Sequence, residues 1–229
     1  ADTMRRSGDY LAALQRFGEG KTQVLLGTQM IAKGLDFPRV KLVGVISADT
    51  ALHLPDFRAA ERTFQLIAQV AGRAGRAEDG QFPSRVIVQT FTPEDHTIQS
   101  ASQHDYQGFV ERELAMRSRD GLPPIGRMAR IVCRDPDNLK AKAHATELRA
   151  QLDEANALIN ALPQGSPAVR LRGPMPCPVS RVADFFRWQI LMFAGDALSL
   201  QKVLGLLRQA GLLKSDARTA VDVDPVQLL

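Results

Sequence analysis

Three apolar runs in the first 95 residues limit what this chain can build. They are "TQVLLGT" from Thr22, "VKLVGVISAD" from Val40 and "SRVIVQTF" from Ser84. Each has the length of a strand and is bounded by turn residues. Their apolar residues run together instead of alternating with polar ones. A strand reads that way when both of its faces are covered, the usual condition of a parallel sheet with helices on its two sides. Helical patterns stand between the runs. "SGDYLAALQRFGEGK" places Tyr10, Leu11, Leu14 and Phe17 at helical spacing, with Ser7 or Asp9 to cap it and Gly18 and Gly20 to end it. A longer helical stretch runs from about Arg58 to Ala71. Residues 1–95 are therefore expected to form the later part of a doubly wound α/β domain with a partial parallel sheet.

From Thr97 to Arg119 the pattern predicts one polar helix, with Glu113 and Arg117 paired at i,i+4. "DGLPPIG" stops it, because glycine and two prolines cannot continue a helix. Residues 96–125 are read as a helical linker ending in that Pro/Gly turn, and 126–229 as a second domain. Its segments are a strand in "RMARIVCR", a long helix in "PDNLKAKAHATELRAQLDEANALINAL", and strands in "PAVRLRGP" and "FFRWQILMFAG". A helix in "ALSLQKVLGLLRQAGLL", ended at Gly211, and a strand in "ARTAVDVDP" complete it. That order, β-α-β-β-α-β, is the split βαβ arrangement of ferredoxin-like domains.

The bulk numbers exclude more than they identify. With 45% hydrophobic and 24% charged residues the chain reads as globular. A net charge of +4 leans weakly toward an anionic partner. No apolar run reaches the roughly 18 to 20 residues of a membrane span, so no membrane partner is expected. "ADTMRRSGDY" lacks the apolar stretch of a signal peptide and an initiator Met, which reads as a piece of something longer. Cys133 and Cys177 stand alone and His53, His96, His104 and His144 show no ligand spacing, so no metal site is expected in this stretch.

Four stretches can carry chemistry. "GTQMIAKGLDFP", residues 27–38, starts at the carboxyl end of an apolar run, the edge where open α/β sheets bind ligands. Gly27 and Gly34 permit close backbone approach, and Thr28, Gln29, Lys33 and Asp36 offer polar groups. An ordinary strand-to-loop connection fits the same residues. In "QVAGRAGR", residues 69–76, Gly72 and Gly75 alternate with alanines, so nothing bulky screens Arg73 or Arg76. Such arginines suit an anion whose charge grows during reaction, or equally a solvated helix end. In "RWQILMF" alternation sends Arg187, Gln189 and Leu191 to one face and Trp188, Ile190 and Met192 to the other. Arg and aromatic groups on a sheet can stack single-stranded bases, or the run can be a core strand. "VDVDP" puts Asp222 and Asp224 on one side of a strand, where a metal pair is conceivable but the simpler role is accepting hydrogen bonds or pairing with nearby Arg.

Taken in order, "GTQMIAKGLDFP" and "DFRAAERTFQLIAQVAGRAGR" closely resemble motifs V and VI of superfamily 2 helicases, more narrowly the primosomal replication-restart helicases of the PriA family. "LVGVISADTALHLPDFRAAERTFQL" and the tail "FFRWQILMFA…VDVDP" resemble that family too, so the likeness covers nearly the whole chain. It implies a second RecA-like lobe followed by a domain similar to ribosomal S10. It implies that Arg73 and Arg76 reach a triphosphate, with Arg76 as the finger, and that Gln69 organises the γ-phosphate and its water. Gly34, Gly72 and Gly75 would face the nucleotide, and Asp36 would face its ribose or couple to motif VI. Thr28, Gln29 and Lys33 would touch the tracked DNA strand, with Arg187 and Trp188 as further DNA contacts. Leu35 stands where relatives usually have His, and Cys177 where small apolar residues are usual.

The resemblance further implies ATP with Mg2+ as cofactor, a 3′–5′ DNA helicase activity at stalled forks, and a bacterial cytoplasmic, nucleoid-associated setting. Expected partners are forked and single-stranded DNA, primosome and helicase-loading proteins, and the acidic tail of single-stranded DNA-binding protein. Gln189 matches the tail-binding pattern, whereas Phe185 stands where relatives often carry Arg, so one positive charge of that capture is missing. No GxxxxGK[ST] loop or Asp-Glu magnesium box occurs in the sequence. Those elements, and the family's zinc-binding cysteines, are expected upstream of Ala1, and this piece is expected to be inactive alone. A non-catalytic DNA-binding or scaffold module, and a superfamily 2 ATPase acting on RNA, are the competing readings.

Overall fold

The structure, a computed structural model, describes residues 7–27, 37, 40–72, 85–161 and 168–228. It divides into two units. One comprises residues 1–54 and 59–109, the other 55–58 and 110–229.

In the first unit α1 (Ser7–Gly18) is ended by Gly20 at φ +77. Strand β1 (Leu42–Val45) leads through α2 (Asp49–Leu52) to α3 (Ala59–Ala71) and β2 (Arg85–Val88). β1 and β2 pair in parallel, Leu42 opposite Arg85 and Val45 opposite Val88. α3 buries Ala59, Thr63, Phe64, Ile67 and Val70, a stripe at helical spacing. Phe64 stacks on Phe109 at 4.4 Å between ring centroids. Two expectations fail here. Residues 22–27 form no strand, and Val24 and Leu26 are exposed. β1 and β2 are not covered on both faces, since exposed and half-buried positions alternate along each. The reason is shared: a strand is held by its ladder and buried by its layers, and among the described residues this run has no ladder and the two-stranded sheet has few covering elements.

The polar helix predicted from Thr97 to Arg119 is two helices, α4 (His96–Ser102) and α5 (Tyr106–Asp120). His104 at φ +55 turns the chain, and Asp105 Oδ1 accepts a hydrogen bond from Gly108 N at 2.8 Å, which starts the second helix afresh.

The second unit has the β-α-β-β-α-β order read from the sequence. Its elements are β3 (Arg127–Asp135), α6 (Asn138–Asn160), β4 (Arg170–Val182), β5 (Phe185–Ala194), α7 (Ala197–Gln209) and β6 (Thr219–Val223). The sheet order is β4-β5-β3-β6, all antiparallel. β4, which carries three prolines, lies at the edge, where a missing N–H costs no ladder bond. Gly173 in β4 has φ +102, and a Cβ there would sit 2.6 Å from the Gln189 carbonyl oxygen, so no side chain fits. α6 is capped by Asp137, which accepts from Leu139 N at 2.8 Å. Its buried residues Ala141, Ala145, Leu148, Leu152, Ala155 and Ile159 recur at spacings of four and three. That stripe and Leu200, Val203, Leu204 and Leu207 of α7 cover the sheet face formed by Ala129, Ile131, Cys133, Ile190 and Met192. The other face carries a smaller cluster of Met128, Leu191, Phe193 and Leu228. Among the described residues no helix is long and apolar enough to cross a membrane.

Candidate nucleotide edge and nucleic-acid face

In the first unit the carboxyl ends of β1 and β2 form one polar edge. Ser47, at φ +56, turns the chain out of β1, and its Oγ lies 2.8 Å from Thr50 Oγ1. Asp49 gathers the loop after β2. It accepts from Thr90 Oγ1 at 2.9 Å, Thr92 Oγ1 at 3.1 Å and Phe91 N at 3.1 Å. Desolvation pushes the Asp49 carboxyl up, but the bonds from Thr90, Phe91 N–H and Thr92 outweigh it and hold the group below its ordinary value. Sequence reading overlooked Asp49. Its signal was available: an Asp just past an apolar strand, at the edge where open α/β sheets bind ligands.

Gln69 and Gly72 lie exposed at the end of α3, on the opposite side from its buried stripe. Gly72 N still donates to Ala68 O at 3.0 Å, so the helix runs intact up to it. The arginines Arg73 and Arg76 follow directly. They lie outside the described residues, as do Thr28, Gln29, Lys33, Gly34, Asp36 and Gly75.

In the second unit the alternation read along β5 is the observed one. Trp188, Ile190 and Met192 face the helices, and Leu191 faces the opposite cluster. Arg187 and Trp188 therefore stand on opposite faces, and one base cannot lie between them. Trp188 is half-buried, its Nε1 donating to Asn138 Oδ1 at 2.9 Å, with the Lys142 ammonium 5.5 Å from its ring centre. Arg187 Nη1 donates to Val179 O at 3.3 Å. Gln189 is only 5% exposed, and its Oε1 accepts from Arg130 Nε at 2.8 Å.

Phe185 and residues that the sequence did not single out complete this end of the unit. A two-residue turn, Ala183 and Asp184 at φ +46 and +66, joins β4 to β5. Around it Arg134 lies 6.0 Å from the Phe185 ring centre and Arg181 5.2 Å from that of Phe186. The acids nearby are engaged: Asp137 caps α6, and Asp184 pairs with Arg181 at 3.0 Å. Phe185 and Phe186 alternate along β5, so these cations laid over aromatic rings, with the carboxylates turned to local bonds, stand one pair on each face of the sheet, each suited to a polyanion carrying flat bases.

Two remaining features are structural. Asp224, at φ +52, accepts from Arg127 Nη1 at 3.0 Å and donates its N–H to Met128 O at 2.8 Å, so it locks the end of β6 onto β3. Cys133 is fully enclosed, and burial, with Cys177 nearby, pushes its thiol up to about 12. Cys177 is also raised by burial, with Arg130 and Arg187 opposing. Both thiols are therefore poor nucleophiles.

Family comparisons match both halves of this arrangement. The helicase conserved C-terminal domain matches residues 5–78, and the primosomal protein N C-terminal domain matches residues 119–226. The class thus defined is a helicase second lobe followed by a primosomal C-terminal domain. The chain is 44% identical over 191 residues to the replication restart protein PriA of Bacillus subtilis (strain 168), covering 83% of this chain and 22% of that protein. Against PriA of Synechocystis sp. it is 35% identical over 228 residues, 100% of this chain and 26% of the relative. Against PriA of Treponema pallidum it is 41% identical over 225 residues, 98% and 32%. The chain belongs to the PriA replication-restart family. It spans roughly a quarter of the length of these curated relatives.

Proposed function

We propose that this chain is the carboxyl part of an ATP-dependent 3′–5′ DNA helicase that unwinds stalled replication forks and initiates primosome assembly in the bacterial cytoplasm. The observation that carries the reading is the order within one chain: "GTQMIAKGLDFP", then "QVAGRAGR", whose first three residues belong to a helix packed on parallel strands, then the four-stranded C-terminal unit. In this reading residues 1–95 supply half of an ATP·Mg2+ site, 96–125 link, and 126–229 hold DNA and partners. The phosphate loop, the magnesium box and a zinc module come from sequence not present here, and the piece alone does not turn over ATP. Arg76 is the electrostatic stabiliser of the transferred phosphoryl group, with Arg73 beside it and Gln69 ordering the attacking water. Gly34, Asp36, Gly72 and Gly75 line the nucleotide side. Thr28, Gln29 and Lys33 hold the tracked strand.

The C-terminal unit adds Arg187 on one face and Trp188, under Lys142, on the other. They meet different parts of a single-stranded or forked substrate. An acidic tail of single-stranded DNA-binding protein would meet Gln189 only together with Arg130, which holds its amide oxygen.

The test is DNA-stimulated ATP turnover of the full-length protein on forked DNA. Arg76→Ala is expected to lower turnover roughly 10³-fold or more. Near-normal turnover in that variant, or stimulation by RNA equal to that by forked DNA, would count against the reading.

A further inference from the structure

A cavity of about 430 Å³ lies within the second unit, between the first turns of α6, the end of β3 and the connection from α7 to β6. That volume falls in the range of small-ligand sites. The connection is built to hold one shape. Gly211, at φ +71, turns the chain out of α7, and the buried Leu213 plugs it into the core under the helices. Asp216 Oδ1 accepts from Arg218 N at 2.7 Å and from Thr219 N at 2.8 Å, while Asp216 N donates to Thr219 O at 2.9 Å. Arg134 ties this turn to β3, its Nε donating to Ala217 O at 2.6 Å and its backbone N to Arg218 O at 2.8 Å. Thr219 is buried, and its Oγ1 lies 2.8 Å from His144 Nε2, so α6 is joined to the turn as well.

The charges around this cavity suit an anion. Arg134, Lys140, Lys214 and Arg218 line it, against the carboxylates of Asp135, Glu147 and Asp216. Two of those carboxylates are committed to the backbone. Asp216 holds the turn, and Asp135 accepts from Asp137 N at 2.9 Å and stands 3.8 Å from Arg218 Nε. The Nε of Arg134 goes to a neutral carbonyl, which leaves its positive charge to the cavity. The ammonium groups of Lys140 and Lys214 form no ion pair among the described residues, and they reach the cavity from two different elements, α6 and the connection. Glu147 is exposed on the same side of α6 as Lys140 and His144, and it is the one lining carboxylate without a backbone bond. No aromatic ring of β5 lines the cavity, so it offers charge without a platform for a base.

We propose that this cavity binds a terminal phosphate group, that of a phosphomonoester or a polyphosphate, clasped between Lys140 and Lys214 with Arg134 and Arg218 adding charge. A terminal phosphate carries about −1.5 to −2 at neutral pH, whereas each internal phosphate of a nucleic-acid strand carries a single negative charge. Two unpaired ammonium groups match the former. The same group occurs on a free polyphosphate and on the phosphorylated 5′ end of a strand, and the cavity reads the phosphate alone. None of the residues assigned to ATP turnover takes part, so the site stands or falls separately from the function proposed above.

The experiment uses the full-length protein without Mg2+ and follows hydrogen–deuterium exchange of residues 211–219 as pyrophosphate is added. Pyrophosphate is expected to slow exchange there, and potassium chloride at equal ionic strength is not. The double variant Lys140→Gln, Lys214→Gln should raise the half-saturating concentration roughly tenfold or more, while Lys140→Arg, Lys214→Arg should retain binding. Glu147→Gln, which removes a like charge, should lower that concentration about two- to fivefold. Should the Gln pair melt at a lower temperature, Glu147→Gln still decides, since weaker or unchanged binding in that variant would overturn the site. Absence of protection, protection equal to that given by chloride, or protection that persists undiminished in the Gln pair would overturn it too. Once pyrophosphate protects, a single strand with a 5′ phosphate that acts at lower concentration than its 5′-hydroxyl counterpart, in wild type and not in the Gln pair, identifies a strand end as the source of the phosphate. Equal action of the two strands identifies a free polyphosphate.

Discussion

Ile87 in β2 and Ile190 in β5 occupy comparable positions, each within an apolar run near the middle of a short strand. Yet Ile87 is 57% exposed and Ile190 is 0% exposed. The strand sequence does not make this difference. α6 and α7 lie across the face that receives Ile190, whereas Ile87 stands on a two-stranded sheet with α3 as its main neighbour. Burial belongs to the layering of elements, and the same residue type carries stability in one unit and almost none in the other.

The largest expected effect tests that contrast directly. Ile190→Ala should destabilise the second unit by about 2–5 kcal/mol through lost transfer energy and a residual cavity. Ile87→Ala should stay within about 0.5 kcal/mol. Trp188 is the only tryptophan in the chain and lies against the helix-covered core, so its emission during urea unfolding reports on the second unit, and hydrogen exchange of the β2 amides reports the loss from Ile87→Ala in the first. Equal losses from the two substitutions would show that β2 is buried by something the exposure values do not reveal.

The same contrast explains how much was legible in advance. The order of elements in the second unit was readable because its signals are local and agree: the α6 stripe, the Asp137 cap, the stop at Gly211 and the alternation of β5 all sit on a sheet made within the same stretch. The second half of β4, residues 175–182, was missed because its prolines read as a stop yet are tolerated on an edge strand. In the first unit "TQVLLGT" has an equally good local pattern, but a parallel strand exists only through its ladder partner, and the pattern cannot state whether one is present. The break between α4 and α5 was hidden because Asp105 and His104 are polar residues in a polar run, and only the hydrogen bond to Gly108 shows the restart. The arginines of "QVAGRAGR" were legible as chemistry from their bare glycine-alanine setting. Arg130 and Arg134 were not, because each acts through a partner far away in the sequence.

A smaller effect concerns the start of α6. Asp137→Ala removes the side-chain acceptor for Leu139 N and should cost about 1 kcal/mol, read as a lower urea midpoint for Trp188. Asn138, whose side chain holds the Trp188 indole N–H, is the first residue of that helix, so the folded emission should shift as well. A lowered midpoint with unchanged emission would mean that the indole is held by the core and the Lys142 contact, not by the capped turn.

The smallest effect is a difference in acid sensitivity. In the second unit Asp196 is held below its ordinary value, first by the Ser199 N–H and then by the Ser199 hydroxyl, and Asp216 by the N–H groups of Arg218 and Thr219. In the first unit Asp49 reaches the same direction against an opposing desolvation. A depressed carboxyl pKa stabilises the folded state above the unfolded value, about 3.9. That contribution is lost as pH falls through the still lower folded value, where the unfolded chain takes up protons first. All three contributions should therefore be complete at pH 5 and decline below about pH 4. For the second unit the check is the Trp188 urea midpoint between pH 5 and pH 3, compared in wild type and in the double variant Asp196→Asn, Asp216→Asn. The amide retains an acceptor oxygen but cannot titrate, so the variant should start lower at pH 5 and fall less steeply. Parallel curves would mean that these two caps contribute through geometry alone, and that the acid sensitivity of the unit comes from its other carboxylates.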